Sequence, residues 1–298
     1  NYAVDFLNGE IIGIYDAEDA PDRDQLMKVA LTFDHAPQNV ACLQGALDFY
    51  NAPTNLLTRC FTIDYAIWFR LVLPGFERLG LVLPLGGTTV FFRRNALEAL
   101  GRWDAHNVTE DADLGLRLAR RGYRCAFLST VTEEEATTTI PAWIRQRSRW
   151  IKGYAMTWAV HMRDPLQLFG ELGPLRFFAV QILFLGTLSQ FLLAPVLWSF
   201  WLILFGLPHP ITGILPREAI VAVGALFFLS EVLTILTAAT AVARPKHRWL
   251  IKWVPLMHLY YPLAAIASWK AFFQMFTRPF YWDKTAHGLS PTRYAIQV

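Results

Sequence analysis

From Phe177 onward this chain of 298 residues turns apolar over lengths that only a bilayer or a large buried core requires, in stretches 177–207, 219–243 and 253–276. About 20 apolar residues cross the ~30 Å hydrocarbon core of a membrane, so the first two stretches are long enough to span it. Pro195 divides the first, which leaves room for an interfacial helix before the crossing. The third carries His258, Lys270, Pro255, Pro262 and many aromatic residues, so a helix lying in the interface suits it at least as well as a span. Before about Leu172, charged residues and turn signals recur as in a globular domain. The chain therefore reads as an α/β domain over 1–172 followed by an α-helical transmembrane region over 173–298, with two or three transmembrane or interfacial helices and a C-terminal tail.

Charge orients this arrangement. Arg244, Lys246, Arg248 and Lys252 crowd the connection after the second stretch, whereas the preceding connection offers Arg217. Cationic loops remain on the cytosolic side, so the α/β domain, the basic connection and a tail with Arg278, Lys284 and Arg293 are expected in the cytosol. The expected location is an integral membrane protein of a bacterial inner (plasma) membrane. A net charge of +3 is mild, and its placement beside the apolar half suits membrane lipids and not nucleic acid. Cys42, Cys60 and Cys125 are odd in number and lack metal-ligand spacing, which reads as reduced, buried thiols.

Within the first half, residues 10–15 form an apolar, β-branched run that stops at Asp16, placing Asp16 and Glu18 at the carboxyl end of a strand, where open α/β sheets bind ligands. A helix is expected over 24–33, a strand over 40–49, an amphipathic core helix over 56–73, a strand over 89–92 and a helix from Ala96 to Gly101. Thr109 opens a helix that Gly122 closes, Cys125 to Leu128 fits a short strand, and Pro141 starts another helix.

Three short motifs in this frame carry chemistry. Asp16-Ala17-Glu18 offers hard oxygen ligands for Mg²⁺ or Mn²⁺, ions usually held by one or two carboxylates plus substrate phosphates. In isolation a solvated acidic turn is the plainer reading, and only the company it keeps favours the metal. Thr109-Glu110-Asp111 stands at a helix start, where an ordinary N-cap is the plain explanation. A carboxylate there would stay ionised and could deprotonate a hydroxyl; Asp111 is the candidate base and Asp113 its competitor. Gln146, Arg149 and Trp150 share a helix face, on which a guanidinium matches diphosphate oxygens and an indole stacks on a sugar. Arg145, Arg147 and Lys152 would equally suit a basic amphipathic helix on the membrane surface.

Taken in order, these residues resemble the inverting family 2 glycosyltransferases, in particular the processive membrane synthases that include bacterial cellulose synthase, hyaluronan synthase and chitin synthase. Asp16-Ala17-Glu18 is similar to their Asp-x-Asp motif, Thr109-Glu110-Asp111 to their Thr-Glu-Asp, and Gln146 to Trp150 to their Gln-x-x-Arg-Trp. The resemblance implies the C-terminal part of a GT-A (Rossmann-like) domain before the membrane region. It assigns Asp16 and Glu18 to the metal and the nucleotide diphosphate, and Asp111 to the catalytic base. Glu110 falls in the substrate site, Gln146 and Arg149 hold the diphosphate region, and Trp150 stacks on the acceptor sugar.

The Leu85-Gly86-Gly87-Thr88 segment occupies the place of a loop lining the acceptor site, so Gly86, Gly87 and Thr88 are expected to bind substrate; a plain tight turn is the alternative. Residues 280–288, with Trp282, Lys284, Thr285 and His287, fall where cellulose synthase has a loop that closes over the nucleotide. Glu18 replaces the Asp of many members. The chain opens at Asn1 almost directly on its metal strand, so earlier strands carrying an Asp for the nucleotide base are expected to precede it.

The reaction so implied moves a sugar with inversion from a nucleotide-diphosphate donor, a UDP-sugar in the first instance, to a growing β-linked polysaccharide. Transfer of one sugar to a lipid or lipid-linked acceptor is the alternative within enzymes. A non-catalytic membrane scaffold is the alternative outside them. A transporter fits least, because few polar residues interrupt the two good spans.

Overall fold

A computed structural model describes residues 1–283. The α/β half contains β1 (Ile11–Ile14), β2 (Ala20–Pro21), α1 (Gln25–His35), β3 (Val40–Phe49), α2 (Leu56–Ile67), α3 (Leu73–Arg78), β4 (Val90–Arg93), α4 (Arg94–Ala99), α5 (Glu110–Arg120), β5 (Arg124–Glu134) and α6 (Ile140–His161). The strands form one mixed sheet in the order β1-β4-β3-β5-β2. β3 runs parallel to β5, and the other described pairings are antiparallel. β3 lies at the centre and is buried along nearly its whole length, which is why its sequence is a continuous apolar run broken only at Gln44 and Asp48.

The expected elements form, with two extensions. β5 continues to Glu134 and not only to Leu128, because Val131, Thr132, Glu133 and Glu134 find partners in Ala46, Leu47, Asp48 and Phe49 of β3. Long-range pairing here overrides the poor strand propensity of two glutamates. The helix expected over 56–73 opens with a reciprocal Asn55–Thr58 capping box and passes through a π-helical turn at Trp68–Val72 into α3. Pro74 falls in the first turn of α3, where a missing N–H is tolerated.

The apolar half comprises α7 (Pro165–Gln181), α8 (Thr187–Leu192), α9 (Ala194–Ser199), α10 (Trp201–Leu204), α11 (Arg217–Ala241) and α12 (Met257–Thr277), the last preceded by a 3₁₀ segment, Arg248–Leu256. Among the described residues, three helical segments are long and apolar enough to cross a membrane: Pro165–Leu192, Arg217–Ala241 and Arg248–Thr277. The first begins earlier than the apolar stretch and is bent at Gly173 (φ 73°), ahead of Pro174. Its continuation breaks at Leu193, just before Pro195, into the short α9 and α10.

Arg248–Thr277 differs from the other two in where it returns. The connection before it is pinned to β3, since Lys246 Nζ and His247 Nε2 lie 3.1 and 2.9 Å from the two oxygens of Asp48. Its middle meets α6, where Trp143 Nε1 donates to the Tyr260 hydroxyl at 3.0 Å. Beyond its end, Lys152 of α6 donates to the Arg278 carbonyl at 3.3 Å. Both ends and the middle of this segment therefore make contacts with the α/β half.

The largest core cluster joins the two halves: Phe49, Phe61 and Trp143 pack in one body with Ala241, Leu250 and Tyr260. Composition changes near residue 172, but the core runs across that point. The three cysteines are free thiols; Cys42 and Cys60 are buried as expected, whereas Cys125 is only half-buried.

Candidate active site

The sheet brings the first motif beside the glycine turn. β1 pairs with β4, and Thr89 N–H donates to the Ile14 carbonyl at 2.8 Å, so the residues after β1 meet those before β4. Asp16 N–H donates to Thr88 Oγ1 at 3.1 Å and to Asp19 Oδ2 at 2.9 Å. The Thr88 hydroxyl in turn donates to Asp19 Oδ2. Asp19 thus ties the acidic turn to Thr88, a role hidden in sequence, where it is only the last acid of a short run.

Burial pushes the Asp19 carboxyl above its usual range, and Asp16 and Glu18 add to the shift. Glu134, at the end of β5, is raised well above normal by burial and by the same three acids. Asp16, Glu18, Asp19 and Glu134 therefore share one strongly negative field, and Asp19 Oδ1 is buried without a hydrogen-bond partner among the described residues. A divalent cation would relieve both conditions, so the donor set fits one. Among the described residues no three acid, imidazole or thiol groups are placed to hold an ion alone.

The second motif opens α5. The Thr109 side chain does not cap the helix among the described residues; instead its N–H donates to Asn107 Oδ1 at 3.0 Å, and Asn107 Nδ2 donates to Thr157 Oγ1 of α6 at 2.8 Å. Gly153 of α6 lies directly on Thr109, where an added Cβ would stand 2.3 Å from its Cγ2 and Oγ1. Only a glycine lets the second and third motifs approach so closely.

Asp111 Oδ1 accepts from Ala112 N–H at 2.7 Å. Burial pushes its pKa up to about 7, and the adjacent Glu110 adds to this, while the Ala112 N–H and Arg149 act in the opposite sense. The expectation that the helix terminus keeps this carboxylate firmly ionised is corrected: desolvation outweighs the favourable end of the helix. Asp113, the competing base, is committed elsewhere. Its oxygens meet His161 Nε2 at 2.9 Å and Arg117 Nε at 2.7 Å. Burial acts to raise its pKa, but those two partners hold it below the usual value.

The third motif approaches from α6. Burial lowers the Arg149 pKa, and Asp111, Glu110 and Asp16 act against that loss, which places its charge in the field of both acidic motifs. Its Cζ lies 4.3 Å from the centroid of the Trp282 ring. Gln146, one turn earlier, is buried, and its Oε1 has no partner among the described residues. Trp150 stands 6.2 Å from Phe61 and 6.4 Å from Tyr65, ring to ring.

Two basic residues of α6 depart from the expected membrane-surface face. Arg147 pairs with Asp64 and lies over Trp143 and Trp150, and Lys152 is fully buried with Nζ donating to the Tyr281 carbonyl at 2.8 Å. Arg147 is half-buried and Lys152 fully buried, and each has a partner inside. Lys284, Thr285, His287 and Arg293 lie outside the described residues.

Gly87 completes the constellation. A Cβ built on it would stand 3.3 Å from Asp111 Oδ2, so the turn before β4 faces the carboxylate of the second motif. The sequence pattern of glycosyl transferase family group 2 matches residues 11–282. The chain belongs to this family. As a family group 2 glycosyltransferase it has a GT-A domain, whose mixed sheet leads into a helical C-terminal region with candidate membrane helices.

Among its relatives, the beta-monoglucosyldiacylglycerol synthase of Synechocystis sp. is 29% identical over 287 residues, covering 84% of this chain and 57% of that protein. The cellulose synthase catalytic subunit of Komagataeibacter sucrofermentans is 28% identical over 163 residues, covering 51% of this chain and 21% of that protein. The chain thus spans little more than half of the first and about a fifth of the second. A slight overall likeness exists to mannosyltransferase PcManGT from Pyrobaculum calidifontis, solved with GDP-Man and Mn2+, at a TM-score of 0.47 and 18% identity over 90% of this chain and 64% of that one.

Proposed function

We propose that this glycosyltransferase inverts the anomeric centre of a nucleotide-diphosphate sugar in one displacement, at the membrane face that carries the α/β half. The observation that carries this reading is the meeting of Asp111, with a pKa of about 7, with Gly87 on one side and Arg149 on the other. Asp111 takes the proton of an acceptor hydroxyl, and that oxygen attacks the anomeric carbon as the bond to the diphosphate breaks. Arg149 and Gln146 hold the departing diphosphate, with Glu110 keeping the base poised. Trp150 bears on the acceptor sugar. Asp16 and Glu18, with Asp19 behind them, would hold a Mg²⁺ or Mn²⁺ ion. Such an ion supplies charge neutralisation to the diphosphate.

A growing β-linked glycan is one acceptor consistent with the motif set. A membrane lipid is the second reading, favoured by the relative whose match extends over 84% of this chain, membrane half included, because that protein is a glycolipid synthase. The cytosolic orientation rests on the basic connection, whose Lys246 and His247 share a side with the α/β half.

The test is turnover of labelled nucleotide sugars, UDP-sugars first, by the protein in native-like membranes with Mg²⁺ or Mn²⁺ and after chelation. Long products support the polymer, and single-sugar lipid products alone would rule it out. Loss of metal dependence would remove Asp16 and Glu18 from the proposed role. Intact turnover in Asp111→Asn would refute the proposed base, and a cellular phenotype untouched by that change would favour a scaffold.

A further inference from the structure

Gln44 sits in β3, wholly buried between β4 and β5, and was singled out by no motif. A buried amide is tolerated when its polar atoms are partnered, and all of this one's partners lie close to a single turn. Gly86 N–H donates to Oε1 at 2.8 Å, while Nε2 donates towards the carbonyls of Gly45, Thr88 and Thr89 at 3.0, 3.2 and 3.3 Å. The surroundings fix this orientation: the flipped amide would set its oxygen against three carbonyls.

The gripped segment borders both halves of the candidate chemistry. Gly87, between the held residues, faces Asp111 Oδ2, and Thr88 receives the Asp16 N–H and reaches Asp19. Thr89 closes the turn at φ 54°, a left-handed conformation that a β-branched residue rarely adopts, and its hydroxyl is buried without a partner among the described residues. Such a conformation persists where the surroundings over-determine it. Gln44 supplies bonds at both ends of the turn.

We infer that Gln44 is a positioning residue: it holds the Gly86–Thr89 main chain at a set distance from Asp111, so that the acceptor hydroxyl is confined between Gly87 and the carboxylate. The inference rests on the transferase reading above. Gln44 itself meets no substrate and acts through the turn. When the turn loosens, a bulky acceptor loses its alignment, whereas water, which needs none, still reaches the donor. In either displacement the attacking oxygen gives its proton to Asp111, bonds to the anomeric carbon and expels the diphosphate with its electron pair.

The test compares sugar transfer with donor hydrolysis, both measured from one labelled nucleotide sugar, in wild type, Gln44→Met and Gln44→Glu. Gln44→Met keeps the volume and removes every hydrogen bond. Gln44→Glu keeps an acceptor for Gly86 N–H but loses donation to Thr88 and Thr89. The expected result is a fall in transfer of about 10–100-fold with hydrolysis within about threefold of wild type, the size of effect that small misplacement produces. Gln44→Glu, which turns an oxygen towards the same three carbonyls, should fall at least as far. Equal losses of transfer and hydrolysis, or an unchanged ratio, would overturn the inference and leave the transferase reading standing. A wild-type protein that consumes no nucleotide sugar from any donor would instead defeat the reading and the inference with it. If Gln44→Met does not fold, Gln44→Glu carries the same comparison.

Discussion

Gly153 and Thr109 touch so closely that one methyl group could not be placed between them: a Cβ on Gly153 would stand 2.3 Å from the threonine's Oγ1 and Cγ2. This contact sets the separation of α5, which carries Asp111, from α6, which carries Arg149. Gly153→Ala should raise local helix propensity by up to about 1 kcal/mol, yet the forced separation costs about 1–3 kcal/mol. We expect a lower melting temperature and at least a tenfold loss of turnover, read by thermal unfolding and sugar transfer.

Asp111 should impose the acid limb of the pH profile. With its pKa raised to about 7, the fraction able to accept a proton grows as pH rises through 7, so kcat/KM rises over the same interval. Glu110 contributes to that rise in pKa, and removing its charge must lower it. Glu110→Gln therefore shifts the acid limb to lower pH, while Asp111→Asn loses about 10²–10⁴-fold in rate above pH 7 and abolishes the acid limb, so that its deficit narrows as pH falls.

The motifs made Asp16, Asp111 and Arg149 legible because each lies in a run whose residue types already suggest a task. Their meeting was legible only through resemblance. Asp19, Gly153 and Gln44 are silent in sequence for a physical reason: each acts through a residue 42 or more positions away, and nothing local distinguishes a holding glutamine from any other. Arg147 and Lys152 misled for the converse reason. Their spacing suits a solvated basic face, but Asp64 and the 278–281 main chain supply partners that no local pattern encodes. The third apolar stretch gives no sign in sequence of its bonds to the α/β half, because the partners of Tyr260, Lys246 and Arg278 lie more than 100 residues away in the chain.

Asp48 predicts an acid-sensitive joint between the halves. Burial alone would raise its pKa, but the His247 hydrogen bond and the charges of Lys246 and Arg70 bring it from 3.8 down to about 2. A depressed carboxyl stabilises the fold above its unfolded pKa and loses that contribution as pH falls through the folded one. Stability should therefore decline between about pH 4 and pH 2. Asp48→Ala, which leaves the largely buried Arg70 without its carboxylate, should cost about 3–5 kcal/mol in chemical unfolding at neutral pH and flatten that decline.

Lys152 should govern the order of the tail beside the site. Its ammonium group donates to the Arg278 and Tyr281 carbonyls, and the next residue, Trp282, lies over Arg149. Lys152→Met should release this segment, quicken chymotryptic cleavage at Phe280 and Tyr281, and raise the donor KM several-fold. Unchanged cleavage in the variant would mean that the segment is held by other contacts.

The core that joins Phe61 and Trp143 to Leu250 and Tyr260 bears on how the protein can be handled. A fragment cut at residue 172 would leave those two rings without part of their lining, a greasy wound in place of a clean surface. It should precipitate or recruit detergent to the scar. The candidate membrane helices are also part of its stuffing, so a soluble piece of this chain would have to carry some of them along.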